Sequence, residues 1–338
     1  MKRRNVVLTA TAGTAAGVLG LTVLALPAGA GAAPVLPPVA PEQLVESVMR
    51  AEPTALTGTV SVDNALGLPA LPGGEAAQLL ADGTNRFQVW ADGQGRHRVS
   101  VPSPSGELTV VDDGTTTWEW NSNNRTATRS EHPQRAEHGA PADPGAAARG
   151  IIGELRKTSE VSVDGTASVA GRDAYELVLT PKPTERTLLR QVRIAVDAEK
   201  RVPLELSVLT NGSADPALQV GFTSVDMAAP DPGLFRFTPP AGAEVEDAEQ
   251  RAPQFDQHAV PRHQVVGDGW DSVLLAEVPA SEELRQVAER AGKPISGPWG
   301  SGWVVGTAAG NALLTADGRV AVGAVPEQVL TAALGEAR

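Results

Sequence analysis

The chain lacks cysteine altogether, and aromatic residues make up only 4% of it. Without cysteine it forms no disulfide, builds no thiolate metal site and cannot carry a lipid attached to an N-terminal cysteine. With so few aromatic residues, the apolar interior has to be built mainly from valine, leucine and alanine. Acidic residues outnumber basic residues by 40 to 28, which gives a formal charge of −12. This charge argues against binding nucleic acid or docking electrostatically on anionic lipid headgroups.

Motifs that carry catalysis or cofactor binding are also missing. The sequence has no Gly-x-Ser-x-Gly elbow, no His-Glu-x-x-His pair and no phosphate loop, and it repeats no βαβ unit that would build a nucleotide site. The segment Glu131–His138 contains two histidines and two glutamates, but their spacing matches no standard metal site. Pairs such as Asp92-Gly93 and Asp113-Gly114 lack the spaced carboxylates of a calcium loop and predict hairpin turns. We therefore expect no enzyme, no cofactor and no metal.

Residues 1–30 predict a signal peptide. Three basic residues at positions 2–4 precede an uncharged apolar stretch from Val6 to Leu26, and Ala28-Gly29-Ala30 supplies the small residues of a cleavage site. A leader retained as a membrane anchor is the alternative, because a stretch of this length can span a bilayer. The Arg3-Arg4 pair leaves both the general and the twin-arginine export routes open. In either case we expect an extracytoplasmic protein, secreted or held in the cell envelope.

Residues 31–40 are rich in proline and alanine and predict an extended, mobile spacer. Residues 41–245 then predict one domain, in which Pro41 begins a first helix and Asp143 with Pro144 begins a second. Elsewhere in this domain apolar residues alternate at period two, so that both members of each pair lie on one side of a strand. The pattern favours a twisted, open antiparallel sheet with one apolar face that the two amphipathic helices can cover.

The stretch 246–262 begins acidic, becomes rich in Gln, His and Pro, and predicts a linker. Residues 263–338 predict a small α+β domain with strands at Trp270–Val278, Trp303–Val305, Ala312–Thr315 and Val320–Val325. One helix is expected from Ser281 to just before Gly292, and a last one from Pro326.

Several pieces in a characteristic order resemble the LolA/RseB type, the periplasmic lipoprotein carriers and their sigma-E regulatory relatives. They are Leu56-Thr-Gly-Thr-Val60, Asp113-Gly-Thr-Thr-Thr-Trp-Glu-Trp120, Val169-Ala-Gly-Arg-Asp-Ala-Tyr-Glu-Leu177 and Leu234-Phe-Arg-Phe-Thr-Pro-Pro-Ala-Gly-Ala243. The tail, with Val265–Leu275 and Val320–Leu330, is similar to the C-terminal domain of RseB-type regulators, and the Ala/Gly/Arg-rich style resembles actinobacterial members. The resemblance implies an α+β fold, namely an open half-barrel antiparallel sheet with a helical lid plus a small α+β C-terminal domain. Acyl chains would then lie between the sheet and its lid.

The candidate ligand-binding residues are the apolar side chains expected to line this space. They are Val99, Val101, Leu108, Val110, Trp118, Trp120, Leu177 and Leu179 on strands, with Ile151 and Leu155 on the second helix. Because an ordinary filled core needs the same alternation, a filled interior remains the alternative. No catalytic residue is assigned.

Three functions follow. The first is an extracytoplasmic, non-enzymatic carrier or binding protein whose partner is a lipid or an acylated lipoprotein. The alternative is an RseB-like sensor that regulates a membrane anti-sigma factor through its C-terminal domain. The third is a cell-wall scaffold without a ligand. Nucleic acid is not expected as a partner.

Overall fold

A computed structural model describes residues 34–68, 82–103, 106–131, 144–248, 263–277 and 282–336. The predicted leader, the segment from His132 to His138, the capping residues Asp143 and Ser281, and most of the predicted linker lie outside the described residues. Within those ranges, no helix is long and apolar enough to cross a membrane.

Twelve strands between Leu56 and Asp247 form one large sheet. The strands are β1 (Leu56–Asn64), β2 (Gly83–Ala91), β3 (His97–Ser103), β4 (Gly106–Asp112), β5 (Thr116–Asn121), β6 (Thr126–Glu131), β7 (Ser159–Val169), β8 (Arg172–Pro181), β9 (Leu189–Asp197), β10 (Pro203–Thr210), β11 (Leu218–Asp226) and β12 (Glu244–Asp247). Their order in the sheet is β12-β6-β5-β4-β3-β2-β1-β11-β10-β9-β8-β7. The two ends of this order do not pair with each other, so the predicted open sheet is confirmed.

Two antiparallel meanders build this sheet, and one long-range pair joins them. The first runs from β1 to β6 and the second from β7 to β11, and β1 pairs with β11 in the middle. Only β12 runs parallel to its neighbour, β6, and it includes Glu246 and Asp247 at the start of the predicted linker. The predicted hairpin turns are confirmed, because Asp92 Oδ1 accepts the backbone N–H of Gln94 at 2.7 Å and Asp113 Oδ1 accepts that of Thr115 at 2.9 Å.

Two helices, α1 (Pro41–Arg50) and α2 (Pro144–Thr158), cover part of one face of the sheet. Pro41 occupies the first turn of α1, where its missing N–H costs nothing. Leu44 of this helix is fully buried in a cluster with Tyr175, Leu177, Leu179 and Val196 of β8 and β9. We call the face that carries this cluster the first face, and the opposite side of the sheet the second face.

Part of the segment predicted as a mobile spacer packs on the sheet. Residues 34–40 lie along the first face, where Leu36 and Val39 pack against the Leu44 cluster. The backbone carbonyl of Pro34 accepts a hydrogen bond from Thr166 Oγ1 at 2.6 Å, and that of Pro37 accepts one from the Tyr175 hydroxyl at 3.1 Å. The two apolar side chains among the prolines explain the difference, because burying them stabilises the docked segment.

The chain that returns from β11 to β12 covers part of the second face. A short 3-10 helix (Pro232–Phe235) lies against β3, where Phe235 is buried and the Arg96 guanidinium lies 5.3 Å from its ring centroid. Further along, the carbonyl of Ala241 accepts a hydrogen bond from Arg125 Nη2 at 2.6 Å, which leads the chain into β12.

Residues 263–277 and 282–336 form a second sheet with two helices. Its elements are β13 (His263–Val266), β14 (Val273–Glu277), α3 (Glu282–Ala291), β15 (Lys293–Gly297), β16 (Gly300–Gly306), β17 (Asn311–Thr315), β18 (Arg319–Gly323) and α4 (Glu327–Glu336). The strand order is β13-β14-β18-β17-β16-β15, and α4 packs on one side through Leu330 and Leu334. The sequence pattern predicted neither edge strand, β13 nor β15. Pro294 lies in β15 at the sheet edge, where the missing N–H leaves no central hydrogen bond unmade.

Hydrogen bonds and packing between loops hold the two sheets together. Trp270 Nε1 donates to Ser159 Oγ at 2.7 Å, and the backbone N–H of Trp270 donates to Glu185 Oε2 at 2.9 Å. The indole also packs against the Leu44 cluster. A second contact joins the backbone N–H of Leu188 to the carbonyl of Ala324 at 2.8 Å.

The inward side of α2 gives a simple stability test. Ile152 is fully buried, whereas the neighbouring Ile151 is 45% exposed. Replacing Ile152 with valine removes one buried methylene and is expected to lower the free energy of unfolding by about 1 kcal/mol. The same change at Ile151 is the matched control and should cost less than about 0.5 kcal/mol. Urea denaturation of both variants measures the difference, and equal costs would contradict the orientation of the helix.

Candidate functional site

The first face continues beyond the helix-covered cluster as an apolar surface across β2, β3 and β4. Directly opposite residues of antiparallel strands share a face, and the register pairs Val89 with Val99, Val99 with Val110, and Val101 with Leu108. All five side chains are only partly buried. The four predicted residues Val99, Val101, Leu108 and Val110 therefore lie together on one surface.

Phe87, Val89 and Phe222, which were not among the predicted site residues, extend this surface toward the centre of the sheet. Phe87 lies opposite Val60, and Val60 lies opposite Phe222 on β11. Gly58 makes room for this arrangement, because a Cβ at that position would lie 2.7 Å from the Phe222 ring. The alternation of Phe87 and Val89 was visible in the sequence, but the pairing of β1 with β11 that brings Phe222 beside them was not.

Polar side chains bound the apolar surface on its β5 side. Glu119 lies opposite Val110 and is exposed, and Asn121 lies opposite Leu108. At the end of β3, His97 Nδ1 lies 3.9 Å from Asp112 Oδ2, and Asp112 is buried. The partly buried aliphatic surface is therefore limited to the middle strands and does not run to the sheet edge.

Leu177, Leu179 and Leu155 lie in the helix-covered part of the first face. The two leucines of β8 are buried in the Leu44 cluster, and Leu155 of α2 packs against it. These three residues form a filled layer between helices and sheet, next to the more open surface on β2–β4. The first face thus has a covered part and a partly exposed part.

Trp118 and Trp120 do not share a surface with Leu108 and Val110. The register places Trp118 opposite Val111 and Trp120 opposite Thr109, on the second face. There both rings contact Phe237 of the return segment, at centroid distances of 5.6 Å and 6.3 Å. Grouping these tryptophans with the first-face residues was wrong, because the two faces of β4 both carry apolar side chains.

Ile151 is also misplaced in the prediction. It is on the outward side of α2, and the inward side carries Ala148 and Ile152, both fully buried, with Leu155. The apolar stripe predicted for this helix comprises Ala148, Ile151, Ile152 and Leu155, and of these Ile151 is not on the inward side. Over the part of the chain that the structure describes, no three His, Asp or Glu side chains come close enough to hold a metal ion.

Solved structures similar to this chain include MucB, of the MucB/RseB group, and a LolA superfamily protein. MucB in complex with MucA(peri) is 16% identical, with 86% of this chain and 94% of that chain covered and a TM-score of 0.44. The Pseudomonas aeruginosa MucA/MucB complex gives 16% identity, coverage of 87% and 96%, and a TM-score of 0.45.

The LolA superfamily protein NE2245 from Nitrosomonas europaea is 13% identical, with 59% of this chain and 99% of that chain covered and a TM-score of 0.25. No protein-family model and no curated protein matches the chain. These neighbours come from both groups that the sequence resembles. At 13% to 16% identity, the likeness concerns the fold.

Proposed function

We propose that this protein is an extracytoplasmic, non-enzymatic binding protein or carrier for lipids or acylated lipoproteins, with the first face as its ligand surface. The observation that carries the proposal is the partly exposed aliphatic surface on β2–β4, which continues a layer already covered by α1 and α2. The predicted leader supports export. We also propose that the sheet curves into a half-barrel with this surface on its inner side.

The chemistry of this surface suits an acyl chain. Its side chains are Val89, Val99, Val101, Leu108 and Val110, which offer methyl groups and no hydrogen-bonding groups. Burying each methylene of a ligand yields roughly 0.8 kcal/mol, so a chain with about a dozen buried methylenes gains enough to offset the cost of association. A polar ligand would lose its hydrogen bonds to water here without replacement.

Native mass spectrometry of the exported protein, followed by organic extraction, tests this function. The protein should be purified from a membrane-rich host without detergent. A bound mass that is released as lipid is the expected result, and it would identify the cargo at the same time. A clean ligand-free mass, together with no uptake of added lipid, would contradict a carrier role.

A second candidate function is regulation of a membrane anti-sigma factor. It is favoured by an exposed apolar row on the side of the second sheet that faces away from α4. Val265, Leu274 and Val322 lie opposite one another on three adjacent strands and are 58%, 45% and 43% exposed. They are on the side of the sheet away from α4, whose contacts are made by Val273, Leu275 and Ala321. A contiguous exposed apolar row of this kind is typical of a surface that binds another protein.

Replacing Leu274 with aspartate tests this second function. Membrane pull-down with the wild-type chain is expected to recover a single-pass anti-sigma factor, and the variant should lose at least 90% of it, because a buried unpaired charge in an interface costs roughly 2–5 kcal/mol. Gln328→Asp, at an exposed position of α4, is the control and should retain the partner. Equal recovery by both variants would exclude this row as the contact.

A further inference from the structure

A cavity of about 700 Å³ lies where the last turn of α1 meets the turn between β9 and β10. Its lining includes Arg50, Glu52, Pro53, Lys200 and Arg201. In contrast to the first face, this lining is mainly polar and charged. Its volume falls in the range typical of small-molecule sites.

Arg201 is the distinctive residue of the lining. Its Nη1 is buried and finds no hydrogen-bond partner among the described residues. The other two cations of the lining are paired, Arg50 with Glu46 at 2.5 Å and Lys200 with Glu199 at 3.4 Å. Because this nitrogen is closed off from water, it is not itself the contact for a ligand. The lining instead offers an anion the rest of a guanidinium that has no carboxylate partner in the described chain.

Arg201 also connects the cavity to the apolar layer. Its guanidinium carbon lies 5.2 Å from the ring centroid of Tyr175, and Tyr175 belongs to the buried Leu44 cluster. On the other side, Pro53 of the lining lies against Gly93 in the turn between β2 and β3, since a Cβ on that glycine would lie 2.7 Å from the Pro53 carbonyl oxygen. The cavity is therefore next to both the covered layer and the strands of the open surface.

We propose that this cavity binds an anionic phosphate or carboxylate group through Arg201, and that this group is the head of the lipid whose chains lie on the first face. The inference rests on the proposed function and adds the class of headgroup. A guanidinium binds such an oxyanion with two parallel hydrogen bonds, which a neutral glycerol hydroxyl cannot replace. Glu52, the remaining acidic side chain of the lining without an ion pair in the described chain, is exposed and screened by solvent.

The overall charge does not oppose this assignment. The formal charge of −12 repels anionic membranes at long range, but its effect falls off within about a Debye length, roughly 8 Å at physiological salt. A single anion in contact with a partly desolvated arginine responds mainly to that arginine. We therefore expect selectivity for an anionic headgroup without general adhesion to anionic vesicles.

The test compares two lipids with identical acyl chains, phosphatidic acid and diacylglycerol, and adds inorganic phosphate as a third probe. Dissociation constants are measured on the full exported chain, for the wild type, Arg201→Gln and Arg190→Gln. Arg190 is the matched control, because it also has a buried nitrogen without a partner, its Nε, but lies outside the cavity lining. Thermal unfolding of each variant confirms that it is folded.

The wild type is expected to bind phosphatidic acid at least about tenfold more tightly than diacylglycerol, since a hydrogen bond to a charged group contributes this much. Arg201→Gln should remove that preference by lowering the affinity for phosphatidic acid to that for diacylglycerol, and Arg190→Gln should keep it. Equal wild-type affinity for both lipids, or equal effects of both variants, would overturn the inference while the proposed function stands. Binding of inorganic phosphate that depends on Arg201, without any lipid binding, would support an anion site but reject the lipid source and the proposed function. Binding of none of the three probes would overturn both.

Discussion

Replacing Val99 with aspartate is expected to reduce lipid affinity by more than tenfold. Val99 is central in the open part of the first face, between Val89 on β2 and Val110 on β4. A carboxylate at this position has to lose its water when an acyl chain covers it, and no described side chain opposite it offers a hydrogen bond in return. The dissociation constant for a fluorescent fatty acid, measured by titration at neutral pH, gives the effect.

Gln88→Asp is the matched control for this substitution. Gln88 precedes Val89 on β2, and its side chain is on the second face and exposed. It should therefore add the same charge without changing lipid affinity by more than about twofold, which is less than roughly 0.5 kcal/mol. A similar loss in both variants would mean that net charge, and not the first face, determines binding. No loss in either would place the ligand elsewhere.

The periodicity of the sequence predicted which residues share a side of a strand, but not which side of the sheet that is. Trp118 and Trp120 do lie on one side of β5, as the spacing of two indicates. Their assignment to the second face depends on pairing with Val111 and Thr109, and β4 carries apolar residues on both sides because Val110 and Val111 are adjacent. A one-residue difference in register moves every side chain to the other face.

The sequence pattern also did not predict contacts between distant parts of the chain. Phe235 and Phe237 belong to the resembling piece Leu234–Ala243, yet nothing in their spacing indicates that the return segment covers Trp118 and Trp120. Likewise, the proline-rich spacer suggested mobility because its composition is typical of linkers, whereas Leu36 and Val39 dock it. Local propensity determines the elements, and tertiary burial decides which of them pack together.

The cavity beside α1 had no sequence signal. Lys200 and Arg201 lie in an ordinary charged hairpin turn, and only the approach of α1 and of segment 51–54 encloses them. The turn itself is fixed by Asp197, whose Oδ1 accepts the backbone N–H of Glu199 at 3.0 Å and that of Lys200 at 2.5 Å. The geometry of the proposed anion site therefore depends on a buried carboxylate next to it.

Replacing Arg172 with methionine is expected to destabilise the fold strongly, because it removes the partner of that carboxylate. Asp197 is 1% exposed and accepts hydrogen bonds from Arg172 Nε and, at 3.1 Å, from Arg172 Nη2. Methionine keeps the aliphatic stem but leaves a buried charge unpaired, which costs about 3–5 kcal/mol of unfolding free energy. Lys157→Met, in the exposed ion pair with Glu154, is the control and should cost less than about 0.5 kcal/mol. Urea unfolding at pH 7 measures both losses of unfolding free energy. Similar losses would show that the buried pair stabilises the fold no more than the exposed pair does.

The pH dependence of the same variant separates loss of charge pairing from loss of packing. Burial raises the pKa of the Asp197 carboxyl, but the hydrogen bonds from Arg172 and from the backbone of Lys200 and Glu199 outweigh it and hold the pKa below its usual value. A depressed pKa contributes stability above the unfolded pKa, about 3.9 for aspartate, and that contribution is lost as the pH falls through the folded value. In Arg172→Met the main opposing interaction is gone, so the buried carboxylate takes up its proton at a higher pH than in the wild type. The stability difference between wild type and variant should therefore be largest at neutral pH and shrink on acidification toward pH 4. A difference that stays constant over this range would point to lost packing around the arginine stem.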